Sequence, residues 1–215
     1  MRIGLDFDNT IVSFDTVFHQ VAQEQGLIPL DLPVSKTSVR DHLRRAGRED
    51  TWTEMQGWVY GTRMNDAEPF PGVREAMRHL RRNGHELFIV SHKTRHPYRG
   101  PAYDLHQAAA AWIDTVLRDA EGALITPPCV YFCERKEEKI ARIAEVGCEA
   151  FLDDLPEILV MQDFPACTLR LLFDPAHQYP AHWATEGCVL HRVGSWPELP
   201  PLLADAAGWT ETMPS

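Results

Sequence analysis

The sequence predicts an α/β fold of the doubly wound kind: a mainly parallel sheet between helices, interrupted by a small helical cap. Three observations predict it. Short apolar runs alternate with helical stripes along most of the chain, the order that builds parallel sheets from strand–helix–strand units. Four of those runs deliver polar groups at their ends: Asp6 and Asp8 after Ile3-Gly4-Leu5, Ser91 after Leu87-Phe88-Ile89-Val90, a lysine beyond Cys129-Val130-Tyr131-Phe132-Cys133, and Asp153-Asp154 after Ala150-Phe151-Leu152. Open parallel sheets bind their ligands at that C-terminal edge. Residues 27–67 break the alternation, with Pro29 and Pro33 and no strand-like run.

Taken in order, the first strand runs into the loop Asp6-Phe7-Asp8-Asn9-Thr10, and Phe14, Val17, Phe18, Val21 and Ala22 then stripe a helix opened by Ser13 and closed by Gly26. Two short helices follow, one over 35–47 and one opened by the capping box Thr51-Trp52-Thr53-Glu54. They carry or border Trp52, Trp58, Tyr60 and Arg63. The domain boundaries are therefore a core of 1–13 and 68–215 and a cap of 14–67, with the helix at 14–26 leading into it. The core resumes at Pro71-Gly72, where Val73, Ala76, Met77 and Leu80 mark a helix ended by Asn83-Gly84. A strand at 86–90 and a polar loop at 93–103 precede a helix striped by Leu105, Ala109, Trp112 and Val116, in which Trp112 belongs to the core. A strand at 129–133 is followed by a helix with Ile140, Ile143 and Ala144 up to Gly147. Beyond the strand at 150–152, Pro156 suits a helical first turn, and 168–173 makes a fifth strand. From Asp174 onward only a short strand near Val189 and a frayed tail are predicted.

A chain of 215 residues holds one α/β core and a modest insertion. Its formal charge of −10 and pI near 5.4 argue against nucleic acid as the main partner, since binding a phosphate backbone needs a cationic surface. No apolar run reaches the ~20 residues of a membrane span, and Asp6 and Asp8 interrupt any leader-like stretch, so no membrane partner and a cytoplasmic address are expected. The five cysteines are odd in number and lack a C-x-x-C pair, which predicts reduced thiols and no zinc site.

Asp6 and Asp8 lie two apart, and residues two apart in extended chain point the same way. One carboxylate can then attack phosphorus while the other moves a proton, a shared divalent cation easing their repulsion. The ordered set of strand-end groups resembles the haloacid dehalogenase superfamily, and within it the phosphatases. The match covers about 1–13 and 69–175. It places the first motif at Asp6, Asp8 and Thr10, the second at Ser91, the third at Lys139 or Lys136, and the fourth at Asp153-Asp154; Pro69-Phe70-Pro71-Gly72-Val73 is similar to the superfamily's lead into its second motif.

The resemblance implies a Rossmann-like core, an aspartyl-phosphate intermediate and Mg2+. Asp6 would be the nucleophile, Asp8 the acid and base, and Ser91 a hydrogen-bond donor to a phosphoryl oxygen. Lys139 is preferred to Lys136 as the charge-neutralising lysine, because Glu137-Glu138-Lys139-Ile140 reads as a helix's first turn. Mg2+ would take the Asp6 carboxylate, the Asp8 carbonyl and Asp154, with Asp153 behind them. Glu157 either holds a metal-bound water or only favours the helix N-terminus.

Dehalogenases of the superfamily lack an aspartate at the place of Asp8, and phosphonate-cleaving members use a cap lysine, so the expected reaction is hydrolysis of a small soluble phosphate monoester. Thr10, His92, Lys93, Arg63 and Arg95 are the candidate substrate-binding residues, joined by Arg99, Trp58, Tyr60, Tyr98 and Tyr103 as candidates to line the site. A cationic lining would suit a substrate with a second anionic group or several hydroxyls. The alternatives are a phosphotransferase and a phospho-receiver-like binding switch. A receiver's acidic pair, however, comes first and its acceptor after the third strand, the reverse of the order here.

Overall fold

The first apolar run becomes β1 (Arg2–Leu5), an interior strand of a seven-stranded sheet. The computed structural model describes residues 1–185 and 187–210. A tight loop leads from β1 into β2 (Val12–Ser13), with Asn9 in the left-handed region at φ 59°, a conformation asparagine tolerates better than most residues. The backbone N–H groups of Ile11 and Val12 both bond the Phe7 carbonyl, at 3.0 and 3.1 Å.

The chain then leaves the core for α1 (Asp15–Glu24), α2 (Lys36–Arg45) and α3 (Glu49–Gly61), and comes back through β3 (Glu68–Pro69). β2 and β3 pair antiparallel, Val12 against Pro69 and Ser13 against Glu68. The exit and return of the insertion are therefore held side by side. Its three helices pack around aromatic rings: Phe14 lies 4.8 Å from Tyr60, and Phe18 4.9 Å from Trp52 and 5.6 Å from Tyr60, centroid to centroid. Ser35 caps α2 through its hydroxyl, which accepts from the Ser38 N–H at 3.3 Å. α3 starts two residues before the predicted box. Thr51 therefore lies inside the helix and does not cap it, and an Arg44–Glu49 ion pair of 2.7 Å braces the connection instead.

The core continues with α4 (Val73–Arg82), β4 (Glu86–His92) and α5 (Leu105–Val116), then a small hairpin of β5 (Arg118–Asp119) and β6 (Gly122–Ala123). Next come β7 (Val130–Cys133), α6 (Lys136–Val146), β8 (Ala150–Asp153), α7 (Pro156–Leu159) and β9 (Leu169–Phe173). β10 (His182–Thr185), β11 (Cys188–Val193) and α8 (Leu199–Thr210) complete it. The strand order is β10-β11-β9-β8-β1-β4-β7, parallel except for the β10–β11 pair. This is the mainly parallel, Rossmann-like α/β sheet. The chain first winds outward from β1 to β4 and β7, then starts again on the other side at β8, so the topological switch falls at the end of β1. Interior strands covered on both faces read as unbroken apolar runs; Ile3, Leu5, Ala150, Phe151 and Leu152 are all fully buried.

Two things differ from expectation near the C-terminus. The strand near Val189 is half of an antiparallel hairpin, and most of the frayed tail is α8. Pro200 and Pro201 occupy the first turn of that helix, where missing N–H groups cost nothing, while Leu199 and Leu203 are buried. The rest of the expected tail, 211–215, lies outside the described residues. Trp112 is fully buried and donates through Nε1 to the Ala67 carbonyl at 2.8 Å, pinning the return from the insertion. Cys129, Cys133, Cys148 and Cys167 are free thiols, and no described helix is long and apolar enough to cross a membrane.

Candidate active site

Four strand ends meet at the switch point. Asp6 follows β1 directly, with its backbone N–H bonded to the Leu152 carbonyl at 2.8 Å. Asp153 ends β8, and Asp154 follows it. Carboxylate oxygens of Asp6, Asp153 and Asp154 all lie within 4.8 Å of one another. A group of acids this dense, two of them buried and Asp154 half-buried, needs a cation. Lys139 supplies one: its Nζ donates to Asp6 Oδ1 and to Asp153 Oδ2, each at 2.6 Å, with 1% of the side chain exposed.

The start of α6 explains why Lys139 and not Lys136 arrives there. Glu138 Oε2 accepts from the backbone N–H groups of Glu134 and Arg135, at 3.1 and 3.2 Å. That closes the helix end and keeps Glu138 outside, and the next residue then turns inward with Ile140 and Ile143. Lys136 sits near the surface, 3.8 Å from Glu157 Oε1, so Glu157 is also directed at a surface lysine.

The charges of this cluster are unequal. Burial alone would lower the Lys139 pKa, but the adjoining carboxylates of Asp153 and Asp6 outweigh it and raise it. Burial, then repulsion from Asp6 and Asp153, pushes Asp154 well above the ordinary carboxylate range. Burial also raises Asp153, against the pull of Lys139. Between the two acids the geometry decides. Asp153 accepts from Lys139 and from the Leu155 N–H at 3.0 Å, while no described cation forms an ion pair with Asp154, so Asp154 is the less compensated of the two. A set of hard carboxylate oxygens, one of them short of a counter-charge, fits a divalent cation such as Mg2+.

Asp8 has a cation of its own. The Nζ of Lys93, just beyond β4, donates to both Asp8 oxygens at 2.9 and 2.8 Å. Lys93 is buried, with its Nζ 4.7 Å from the centroid of the Tyr60 ring and 5.7 Å from that of Phe7. Thr10 and Ser91 are fully buried, yet neither hydroxyl has a hydrogen-bond partner. An unsatisfied buried hydroxyl costs roughly 1–3 kcal/mol, and two of them lie on the segments that carry Asp6, Asp8 and Lys93.

Other sequence candidates are not brought to this cluster. Arg63 is bound by Glu24 and Asp66 at the outer surface. Arg95 pairs with Asp104 at 3.0 Å beside the N-terminus of α5, Arg99 pairs with Glu54 at 2.8 Å, and His92 Nε2 lies 3.2 Å from the Glu134 carbonyl. In each case a nearby acid or carbonyl captures the cation or ring. Tyr98 points to solvent, Trp58 is partly exposed, and Tyr103 packs on Gly61. A cavity of about 570 Å³ between α5 and β7, lined by Arg95, His106, Ile113 and Phe132 among others, contains none of the clustered acids.

Two residues with a place around the site were not singled out in the sequence. Trp196 is buried after β11 and donates through Nε1 to the Thr10 carbonyl at 2.9 Å, fixing the loop after β1. Lys36, the first residue of α2, has its Nζ 5.6 Å from the Tyr60 centroid and 5.8 Å from that of Phe18. Its only signal is its place one residue after the Ser35 cap, which reads as an ordinary helix start.

No protein-family model matches the chain, and no curated protein gives a significant match. Solved structures do. A haloacid dehalogenase-family hydrolase from Deinococcus radiodurans, with bound phosphate and sodium, is 16% identical over 96% of each chain with a TM-score of 0.57. A dehalogenase is 15% identical over 94% of this chain and 96% of its own, with a TM-score of 0.55. The L-2-haloacid dehalogenase of Xanthobacter autotrophicus, holding covalently bound chloropropionic acid, is 12% identical over 94% of this chain and 98% of its own, with a TM-score of 0.52. This chain has the fold of the haloacid dehalogenase-superfamily hydrolases.

Proposed function

We propose that the chain is a Mg2+-dependent phosphatase acting on a small soluble phosphate monoester through an aspartyl-phosphate. The observation that carries this reading is Asp8, two residues beyond Asp6 and clamped by Lys93. A halide leaves without a proton, whereas an alkoxide needs one, and Asp8 is the acid that can supply it. The phosphate held by the Deinococcus hydrolase supports the same chemistry.

In this mechanism Lys139 engages Asp6 through Oδ1, which leaves Oδ2 to attack phosphorus. The P–O bond to the leaving group breaks with its electron pair on oxygen, and Asp8 relays to that oxygen the proton it shares with the Lys93 ammonium. Asp8 then takes a proton from water as the water attacks the aspartyl-phosphate, so that phosphate is released and Asp6 restored. The hydroxyls of Ser91 and Thr10 donate to phosphoryl oxygens, and the Lys139 ammonium offsets their charge. The carboxylates of Asp6 and Asp154 and the carbonyl of Asp8 would hold Mg2+, with Asp153 supporting them; the ion would neutralise charge on the transferring group.

The test is phosphate release from p-nitrophenyl phosphate and a panel of small monoesters. Wild-type turnover should need Mg2+, stop in EDTA, and fall by at least ~1000-fold in Asp6→Asn, whose folding is checked by circular dichroism. Undiminished turnover in Asp6→Asn would falsify the nucleophile assignment. Halide release from 2-chloropropionate, with no ester hydrolysed, would overturn the phosphatase reading.

A further inference from the structure

The lysines around the acidic cluster are not equivalent. Lys139 lies between Asp6 and Asp153, and Lys93 spans both oxygens of Asp8. Lys36 comes from the insertion, and among the described residues no carboxylate lies within ion-pair distance of its Nζ. Its backbone is fixed, with its N–H donating to Asp15 Oδ1 at 2.7 Å and Ser35 capping the helix. Its Nζ lies over the rings of Phe18 and Tyr60, at 5.8 and 5.6 Å, while the Lys93 Nζ lies 4.7 Å from the same Tyr60 centroid. Tyr60 thus joins the Lys36 ammonium to the Lys93–Asp8 pair. Burial would lower the Lys36 pKa, but Tyr60, Asp8 and Asp154 together raise it, so the side chain is a full cation. Its charge is not needed for the four motif positions, whose lysine is Lys139. A helix-anchored ammonium over aromatic faces, lacking its own acid and facing the proton-donating side of the site, is placed to receive an anion on the leaving group.

We infer that Lys36 is a specificity-determining residue that binds a second anionic group, a carboxylate or a further phosphate, on the alcohol portion of the substrate. The inference rests on the phosphatase reading and deepens it, because the cluster below would take the scissile phosphate. The Tyr60 ring would pack against the carbon chain between the two anions, and Lys93 would stay with Asp8. A substrate of this class would reach from the Asp6 carboxylate to Lys36 at the start of α2.

The experiment compares kcat/KM on two esters with uncharged leaving groups, p-nitrophenyl phosphate and glycerol 2-phosphate, and two with anionic ones, 3-phosphoglycerate and fructose 1,6-bisphosphate. Wild-type protein should favour at least one anionic ester. Lys36→Gln should reduce the anionic-to-neutral ratio by about 10-fold or more, the worth of one charge-assisted hydrogen bond, mostly through KM. Lys36→Arg should keep the ratio within about 3-fold. A ratio unchanged in Lys36→Gln, or a wild type that prefers the neutral esters, overturns the role of Lys36 and leaves the phosphatase reading intact. Wild-type protein that hydrolyses none of the four esters overturns both.

Discussion

Ser91 and Thr10 are buried polar groups with nothing to bond, and this gives the site a testable energetic signature. Folded proteins rarely leave such groups unpaired unless a ligand completes them. Ser91→Ala removes a buried, unsatisfied hydroxyl, so the ligand-free protein should be as stable as wild type or more so, by up to ~1 kcal/mol. Turnover should move the opposite way, with kcat/KM on the best ester down about 100-fold as a donor to the phosphoryl group is lost. Thermal unfolding without ligand, set beside steady-state kinetics, reads both. A variant that lost stability and activity in parallel would make Ser91 a structural residue. At this scale the sequence was legible wherever a residue's position depends on its own strand: Asp6, Asp8, Ser91, Asp153 and Asp154 each end an apolar run. Lys139 was legible because Glu138 closes the start of its helix. Arg63, Arg95 and Arg99 were misplaced because each is captured by an acid, Glu24, Asp104 or Glu54, whose proximity no local pattern reveals.

Helix α3 holds the insertion against the segment that carries Lys93, and it does so through glycines. A Cβ on Gly57 would lie 2.8 Å from Cβ and Cγ of Pro97, and one on Gly61 would lie 2.7 Å from Tyr103 Cβ. Glycine inside a helix costs about 1 kcal/mol relative to alanine, so a helix-propensity argument expects Gly57→Ala and Gly61→Ala to stabilise. The contacts predict otherwise. Neither a proline ring nor a Tyr Cβ can swing away, and overpacking of this kind costs roughly 1–3 kcal/mol. The double variant should therefore melt several degrees lower and show a raised KM, because moving 93–104 moves Lys93. A higher melting temperature would mean that α3 and this segment are only loosely apposed. Elements were legible where a stripe buries against the sheet, as with Val73, Ala76, Met77 and Leu80 of α4. They were less so where tertiary contacts override local rules. α3 opens at Glu49 instead of at the Thr51 capping box, and α8, whose first turn suits Pro200 and Pro201, is held by the burial of Leu199 and Leu203.

For the molecule as a whole, the cost of gathering acids at one sheet edge should appear in how stability depends on pH and metal. In the metal-free protein Asp154 has its pKa raised by burial, then by Asp6 and Asp153. The unfolded chain releases that proton near pH 4. Above that pH the folded state binds more protons than the unfolded one, so this group's contribution to stability is lost as pH rises through the raised folded value. Acids held low, Glu138 by the Arg135 guanidinium and Asp104 by the Gln107 backbone N–H and then Arg95, act in the opposite direction. They are half-exposed and screened, and their effect is complete above about pH 5. His85 and His191, lowered by burial, gain stability as they become neutral, but equally with and without metal. The informative quantity is therefore the rise in melting temperature caused by Mg2+ at each pH. A cation bound by Asp154 must displace its proton, so affinity grows with pH until that proton is already gone. Since stabilisation follows RT ln(1 + [L]/Kd), the Mg2+-induced shift should be small near pH 5 and several degrees larger near pH 8. Asp154→Asn should remove the shift and, by deleting the charge that metal would offset, raise the metal-free melting temperature near pH 8. An equal shift at both pH values, or one that survives in Asp154→Asn, would place the cation away from Asp154 and require another ligand set for the acidic cluster.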